Sequence, residues 1–339
     1  MKIAINGFGR IGRLFFRQII KEKELEVVAI NDLSSPSNLA YLLKYDSVYG
    51  RFEDFCLIEN KIKVGEREVL ILNEKDPEKL PWKDLKIDVV IEASGVFTDK
   101  ENAKKHLKAG AKFVILTAPP KDDVLTLTPN LGEWWRILEL GENSITSNAS
   151  CTTNSVNPVL AIVHKYFGIQ KAILTTIHAY TNTQSLVDTI SKSKDFRRGR
   201  AAAFNIIPST TGAAEATVKV LTFLKNKFDG ISIRVPIISG SLSDLTILLN
   251  KKTTVEEINQ VIKNEAEKDE WREIIKVVEE EVVSSDILKE PYGAIVDLTL
   301  TKVVDGDLVK IFCWYDNEWG YCAMLKLHLK KIKEILNFY

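Results

Sequence analysis

The sequence predicts an α/β chain in two parts: a doubly wound, mostly parallel sheet first, and then an α+β unit built on a mixed sheet. Three observations predict it. Up to residue 117, short and almost wholly apolar runs alternate with helical stretches, the pattern of parallel strands buried on both faces. Beyond residue 170 the β-rich runs lengthen and helices become fewer, which suits a sheet with helices on one face. The chain has 339 residues, enough for about two domains at roughly 150 residues each.

Residues 2–6, KIAIN, form the first strand and stop at Gly7. Gly7-Phe8-Gly9-Arg10-Ile11-Gly12 follows and leads into Ile11, Leu14, Phe15, Gln18 and Ile19, whose spacing is helical. A strand, three glycines and a helix start make a dinucleotide fingerprint. Gly7 allows the tight turn, Gly9 lets backbone approach a pyrophosphate, and Gly12 lets helix and strand pack closely. The helix start offers N–H groups and a positive dipole end to phosphates. A second strand, residues 25–30, ends at Asn31-Asp32, with Asp32 lying 20 residues beyond Gly12. A carboxylate there accepts from ribose hydroxyls and repels a 2′-phosphate, which favours NAD over NADP. A helix at 38–44 and antiparallel strands within 51–72 come next. Strands at 88–92 and 112–117 then flank a helix at 100–110 that ends on glycine. Ser94, Gly95 and Thr117 fall at the carboxyl edge, where such a Rossmann-type sheet takes its ligand.

The run Ser147-Asn148-Ala149-Ser150-Cys151-Thr152-Thr153-Asn154 precedes an amphipathic helix that ends before Gly168. Cys151 therefore sits at a helix N-terminus, where dipole and N–H groups favour thiolate and could form an oxyanion hole. His178 ends a β-branched strand 27 residues on. As a cation it would stabilise the thiolate, and as neutral imidazole it would take a proton from the adduct. The alternative for His178 is a satisfied core histidine. His106, His164 and His328 read as surface or half-buried. Thr181-Asn182-Thr183-Gln184, and Pro208-Ser209-Thr210-Thr211-Gly212 ahead of a helix at 213–227, are candidate anion sites. Arg197, Arg198 and Arg200 either add charge-assisted bonds to these sites or form a solvated loop. Arg234 lies in an apolar strand at 231–236, and a buried guanidinium needs an anionic partner. Further strands are expected at 243–250, 293–303 and 308–315, with a helix at 254–267. The last helix carries Leu325, Leu327, Leu329, Ile332, Ile335 and Leu336 on a packed face.

Composition narrows the classes. Lys+Arg and Asp+Glu both number 46, so charge gives no reason to seek nucleic acid or an anionic membrane. Apolar residues make up 45% and charged residues 27%, ordinary for a globular protein. No apolar run reaches the roughly 18 residues of a membrane span. The start, MKIAINGFGR, runs directly into the first strand and turn rather than reading as a secretory leader, so a cytoplasmic protein is expected. Four cysteines without a C-x-x-C pair argue against both a zinc site and a disulfide framework. No metal is expected.

NGFGRIGR, IND, LLKYDSVYGRF, SNASCTTN, TTIHAYTNTQ, RRGRAAAFNIIPSTTGAA, RVP and WYDNEWGY stand in order from residue 5 to residue 321. Together they resemble the phosphorylating glyceraldehyde-3-phosphate dehydrogenases of the bacterial and eukaryotic type. The resemblance implies NAD-dependent, glycolytic oxidation of D-glyceraldehyde 3-phosphate, with inorganic phosphate, to 1,3-bisphosphoglycerate. Cys151 matches the nucleophile and His178 the base. Thr181 and Arg234 match the site for the substrate's own phosphate, with Thr183 nearby. Ser150, Thr152, Thr211 and Gly212 match a second anion site, with Arg198 at a phosphate contact. Asn6, Gly7, Arg10, Ile11, Asp32, Ser94 and Thr117 match cofactor contacts, and Asn317 the residue that holds the nicotinamide carboxamide. It further implies a homotetramer whose loop at about 179–203 lines a subunit interface. On this reading residues 1–150, completed by a C-terminal helix at 318–339, form the NAD-binding domain, and 151–317 form the catalytic domain. The segment between Thr117 and Ser147 departs from the family's GVN element, and the loop at 189–194 is about two residues longer than usual. Two rivals remain: erythrose-4-phosphate dehydrogenase, which shares the Cys–His pair, and a non-catalytic NAD- or redox-sensing relative.

Overall fold

The computed structural model describes residues 1–141, 144–191 and 194–337. Packing divides the chain into two units. The first comprises Met1–Leu127, Glu133–Ala149 and the residues from Leu325 on, and the second Thr128–Gly132 and Ser150–Met324.

In the first unit, β1 (Lys2–Asn6), α1 (Arg10–Ile19) and β2 (Glu26–Asn31) form the opening parallel crossover. α2 (Pro36–Lys44) starts on Ser35, whose hydroxyl accepts from Asn38 N–H, with proline at the first helical position. β3 (Cys56–Ile58), β4 (Lys61–Val64) and β5 (Arg67–Leu72) form the expected antiparallel meander. β6 (Val89–Glu92), α3 (Lys100–Lys108) and β7 (Phe113–Leu116) continue the parallel winding, α3 being capped by the Asp99 carboxylate. β8 (Leu125–Thr126), α4 (Arg136–Leu140) and β9 (Ser144–Ser147) complete the sheet. These last three were not foreseen, because their segment carries neither a clear period nor the family's usual residues. The strand order is β3-β4-β5-β2-β1-β6-β7-β9-β8, with every pair from β5 to β8 parallel. Ile3, Ile5, Val89, Val90, Ile91, Phe113, Val114 and Ile115 are wholly buried, as strands covered on both faces must be.

The second unit holds α5 (Cys151–Phe167), β10 (Ile169–Ala179), β11 (Ile207–Ser209), α6 (Ala213–Val220), β12 (Phe228–Val235), β13 (Ser241–Leu249), α7 (Val255–Ala266), β14 (Ile275–Val278), β15 (Ala294–Val304) and β16 (Leu308–Tyr315). Its sheet runs β11-β12-β10-β13-β16-β15-β14 and mixes parallel with antiparallel pairs. Burial alternates along β13, the period of a sheet with one covered face, and α5, α6 and α7 pack against this sheet. The helix expected over 213–227 ends at Val220, and a single 3₁₀ turn follows. The chain then enters the sheet at Phe228, which pairs with Ala172.

α8 (Trp319–Asn337) closes the chain. Leu325, Leu329 and Ile332 are buried on it; the side chain of Leu336, residues 338–339, and Lys192 and Ser193 of the lengthened loop lie outside the described residues. Two histidine expectations are corrected: His106 and His328 are wholly buried. Each has a hydrogen-bond partner for both ring nitrogens, which Lys-rich neighbours in sequence did not reveal. His164 is half-buried, stacked on Phe223. No helix among the described residues is long and apolar enough to cross a membrane.

Candidate active site

Ala149 turns the chain in the left-handed region (φ 54°), and Ser150 caps α5 by accepting from Thr153 N–H at 3.0 Å. Cys151 is thereby the first residue of the helix. His178 and Thr176 are buried on one face of β10, two residues apart as a strand requires. Cys151 Sγ lies 3.4 Å from His178 Nε2. The backbone N–H groups of Cys151 and Thr152, with the Thr152 hydroxyl, lie close enough to the sulfur to pull its pKa down. Those N–H groups are the donors that an oxyanion built on this sulfur would meet.

Beneath the pair lies Tyr315, which sequence reasoning missed although it stands inside WYDNEWGY. Its hydroxyl is 2.9 Å from Thr152 Oγ1 and 2.7 Å from Thr176 Oγ1, and its ring meets His178 edge-on. The Thr152 hydroxyl is thus turned inward.

Of the two states expected for His178, cation and neutral imidazole, the electrostatics favour the neutral one. Burial pushes the Cys151 thiol up, although Arg234, Thr152 and the first-turn N–H groups pull it down. Burial and Arg234 together push His178 down to about 3, so the imidazole is neutral at pH 7. The cation of this site is Arg234. Register pairs it with His178 across β10 and β12, and its Nη1 lies 2.7 Å from His178 Nδ1 and 3.0 Å from the Ala179 carbonyl. No carboxylate among the described residues pairs with it, so the anionic partner expected from the sequence is not a protein group. Its half-buried charge is left for a ligand.

Arg198 joins the two anion clusters that sequence treated separately. Nη1 reaches Thr183 Oγ1 at 3.5 Å, Nε donates to Ser209 Oγ at 2.8 Å and Nη2 to the Thr210 carbonyl at 3.0 Å. Thr181 Oγ1 is 2.9 Å from Thr183 Oγ1. Arg197 and Arg200 instead pair with Asp195 and Asp188 on the surface, so the basic run divides by residue. Thr211 Oγ1 accepts from Ala213 N–H, and Gly212 leaves α6 without a capping side chain.

At the first sheet's carboxyl edge the glycines fit a dinucleotide. Gly7 has φ 94°, and a Cβ there would lie 2.4 Å from Ser94 N; a Cβ on Gly12 would lie 2.2 Å from the Gly7 carbonyl. A Cβ on Gly9 would meet nothing within 4 Å, so this position opens onto space at an α1 terminus without a capping side chain. Asp32 accepts from Phe8 N–H at 2.8 Å and from Ser34 N–H at 2.9 Å, which fixes its carboxylate beside the glycine turn. Arg10 spends its guanidinium on Asp46 at 2.6 Å, and Ile11 is half-buried on the first turn of α1. In the second unit Asn317 Oδ1 accepts from Ser241 Oγ at 2.8 Å and Gly240 N–H at 3.2 Å, which orients the amide. A second residue that sequence reasoning missed, Glu92, hydrogen-bonds Asn6, Ser94 and Thr117. Among the described residues no group of three or more His, Cys, Asp or Glu is placed to hold a metal ion.

Comparison with known proteins bears on the same residues. Residues 1–100 match the family described as glyceraldehyde 3-phosphate dehydrogenase, NAD binding domain, and residues 150–317 match its C-terminal domain. The chain is 47% identical over 338 residues to a glyceraldehyde-3-phosphate dehydrogenase of Clostridium pasteurianum, covering 98% of this chain and 99% of that protein. It is 44% identical over 327 residues to one of Streptomyces coelicolor and 47% identical over 328 residues to one of Clostridium acetobutylicum, covering 96% of each chain in both cases.

Proposed function

We propose, for a chain that belongs to the glyceraldehyde-3-phosphate dehydrogenase family, that it oxidises D-glyceraldehyde 3-phosphate with NAD and inorganic phosphate to 1,3-bisphosphoglycerate, a step of glycolysis. The observation that carries the proposal is the Cys151–His178 pair at the start of α5, with unpaired Arg234 behind it.

Cys151 passes its proton to His178 Nε2 and its sulfur adds to the aldehyde carbon. The oxyanion forms against the N–H groups of Cys151 and Thr152, then takes the proton to give a hemithioacetal. His178 withdraws that proton again as the carbon–hydrogen bond breaks. Bound NAD supplies the acceptor for the departing hydride. A thioester remains on Cys151; a phosphate oxygen attacks its carbonyl, the carbon–sulfur bond breaks, and the sulfur leaves as thiolate. Arg234, Thr181 and Thr183 are assigned to the phosphate of the aldehyde. Ser150, Thr152, Thr211 and Gly212 are assigned to inorganic phosphate, Thr152 through its backbone, with Arg198 between the two sets. Asn6, Gly7, Gly9, Arg10, Ile11, Gly12, Asp32, Ser94 and Thr117 are assigned to NAD, and Asn317 to its carboxamide. Residues 1–150 with 318–339 are taken as the NAD-binding domain and 151–317 as the catalytic domain.

A homotetramer is supported by Leu186, Ile190, Phe196 and Phe204, all more than four-fifths exposed in one loop region of the chain; sedimentation as a monomer would count against it. A cytoplasmic location is supported by four cysteines in free form.

Steady-state rates with two aldehydes, glyceraldehyde 3-phosphate and erythrose 4-phosphate, and with both NAD and NADP test the reading. Phosphate-dependent NADH formation is expected, faster with the three-carbon aldehyde and with NAD. Cys151→Ser should lose at least about a thousandfold in turnover while still binding NAD, because a hydroxyl is a far poorer nucleophile near neutral pH. NAD binding without turnover in the unaltered protein would refute the enzyme and favour the sensing relative.

A further inference from the structure

Three residues assigned to the cofactor depend on a fourth that has no assigned role. Asn31, Asn6 and Glu92 stand in one register row at the carboxyl ends of β2, β1 and β6. Asn31 Nδ2 donates to Asn6 Oδ1 at 2.7 Å, and Asn6 Nδ2 donates to Glu92 Oε2 at 2.6 Å. Ser94 donates both its N–H, at 2.8 Å, and its hydroxyl to Glu92 Oε1. Thr117 donates its N–H and its hydroxyl to the Glu92 carbonyl at 3.1 and 3.0 Å. Asn6, Ser94 and Thr117 thus all hang from one side chain and its backbone.

The charge of that side chain follows from its partners. Trp82 Nε1–H donates to His106 Nδ1 at 3.0 Å, so that nitrogen carries no proton. Nε2–H is then the donor to Glu92 Oε2, at 3.0 Å, and the imidazole is neutral. Every partner of the carboxyl group is a donor, which marks it as a carboxylate. No Lys or Arg among the described residues forms an ion pair with it, and it is only 2% exposed. The negative charge is therefore held by dipoles and is not neutralised.

A dinucleotide on a doubly wound sheet lays its two halves over opposite halves of that sheet. With the adenosine ribose at Asp32 on β2, the redox-active half belongs to the β6–β7 side, the side of Glu92. We propose that Glu92 is a positioning residue for the cofactor edge, and that its carboxylate favours the oxidised dinucleotide, whose pyridinium is positive, over the reduced one, whose ring is neutral. The inference rests on the reading of this unit as the NAD site.

The test uses the full chain and equilibrium binding, measured by calorimetry with NAD and with NADH separately. The unaltered protein should bind NAD more tightly than NADH. In Glu92→Gln that preference should fall about fivefold, the size of effect expected for one charge acting across roughly 10 Å of partly solvated protein. Glu92→Asp should keep the preference within about twofold, even where both affinities weaken because Asn6 and Ser94 lose position. Should the Gln variant fail to melt cooperatively, Glu92→Ala is read in the same way, since it leaves room for water to meet the donors. Equal loss of both affinities in the neutral variant, or an unaltered protein that binds NADH as tightly as NAD, overturns the proposal. A protein that binds neither dinucleotide instead overturns the cofactor reading beneath it.

Discussion

His178 Nδ1 lies 2.7 Å from the Ala179 carbonyl and 2.7 Å from Arg234 Nη1, and one nitrogen cannot donate to the first while accepting from the second. If Nδ1 keeps its proton for the carbonyl, Nε2 is bare and accepts from the thiol. If Arg234 takes Nδ1, Nε2 carries the proton and donates to a thiolate. Both forms are neutral, as burial demands, and they differ by one proton: thiol-to-Nε2 transfer gives a transient imidazolium, and the second form is reached only when the Nδ1 proton also leaves as Arg234 takes that nitrogen. Arg234 therefore acts on the sulfur both directly, as a cation, and through the ring. Because that cation lowers the thiol pKa, Arg234→Leu should move the alkaline limb of Cys151 alkylation by iodoacetamide to higher pH. The same substitution should raise KM for the phosphorylated aldehyde by at least tenfold, since a charge-assisted contact is lost. An unmoved alkylation profile would remove Arg234 from the ionisation of the nucleophile.

The turn between β1 and α1 separates two uses of glycine. At Gly12 a Cβ would run into the Gly7 carbonyl, which is backbone and cannot step aside; at Gly9 it would enter open space. Gly12→Ala should lower stability by about 1–3 kcal/mol and weaken NAD binding, whereas Gly9→Ala should leave the melting temperature unchanged and weaken binding alone. Thermal melts with and without NAD separate the two, and a large loss of stability in Gly9→Ala would contradict the open position. These roles were legible in the sequence because spacing alone determines them, as it does for Cys151 at its helix start. Glu92 was not legible. It ends an apolar strand like any other acidic residue, and its partners lie 86 and 14 residues away. Tyr315 was hidden in the same way by separations of 163 and 139 residues from Thr152 and Thr176. β9 and β8 escaped because sheet pairing, of β9 with β7 and of β8 with β9, rather than local pattern, organises them.

Across the whole molecule, His178 and His328 contribute to the response to acid. Burial, joined at His178 by the Arg234 charge, holds each near a pKa of about 3, against 6.5 for an ordinary imidazole. The unfolded chain takes these protons first, so the stability they contribute is complete above about pH 6.5 and drains away as pH falls towards 3. Melting temperature should drop through that window. His328→Gln should reduce the slope by up to one proton, roughly 1.4 kcal/mol per pH unit, and an identical slope would exclude His328 from the acid response. His328 also carries a consequence for assembly of the chain. Its ring bonds Thr146 and Asn148, yet about 180 residues of other structure are made between those partners and itself. At ribosomal rates of about 5–20 residues per second, the half translated first waits on the order of ten to thirty-five seconds for its closing piece. It is finished only after its neighbour has left the exit tunnel.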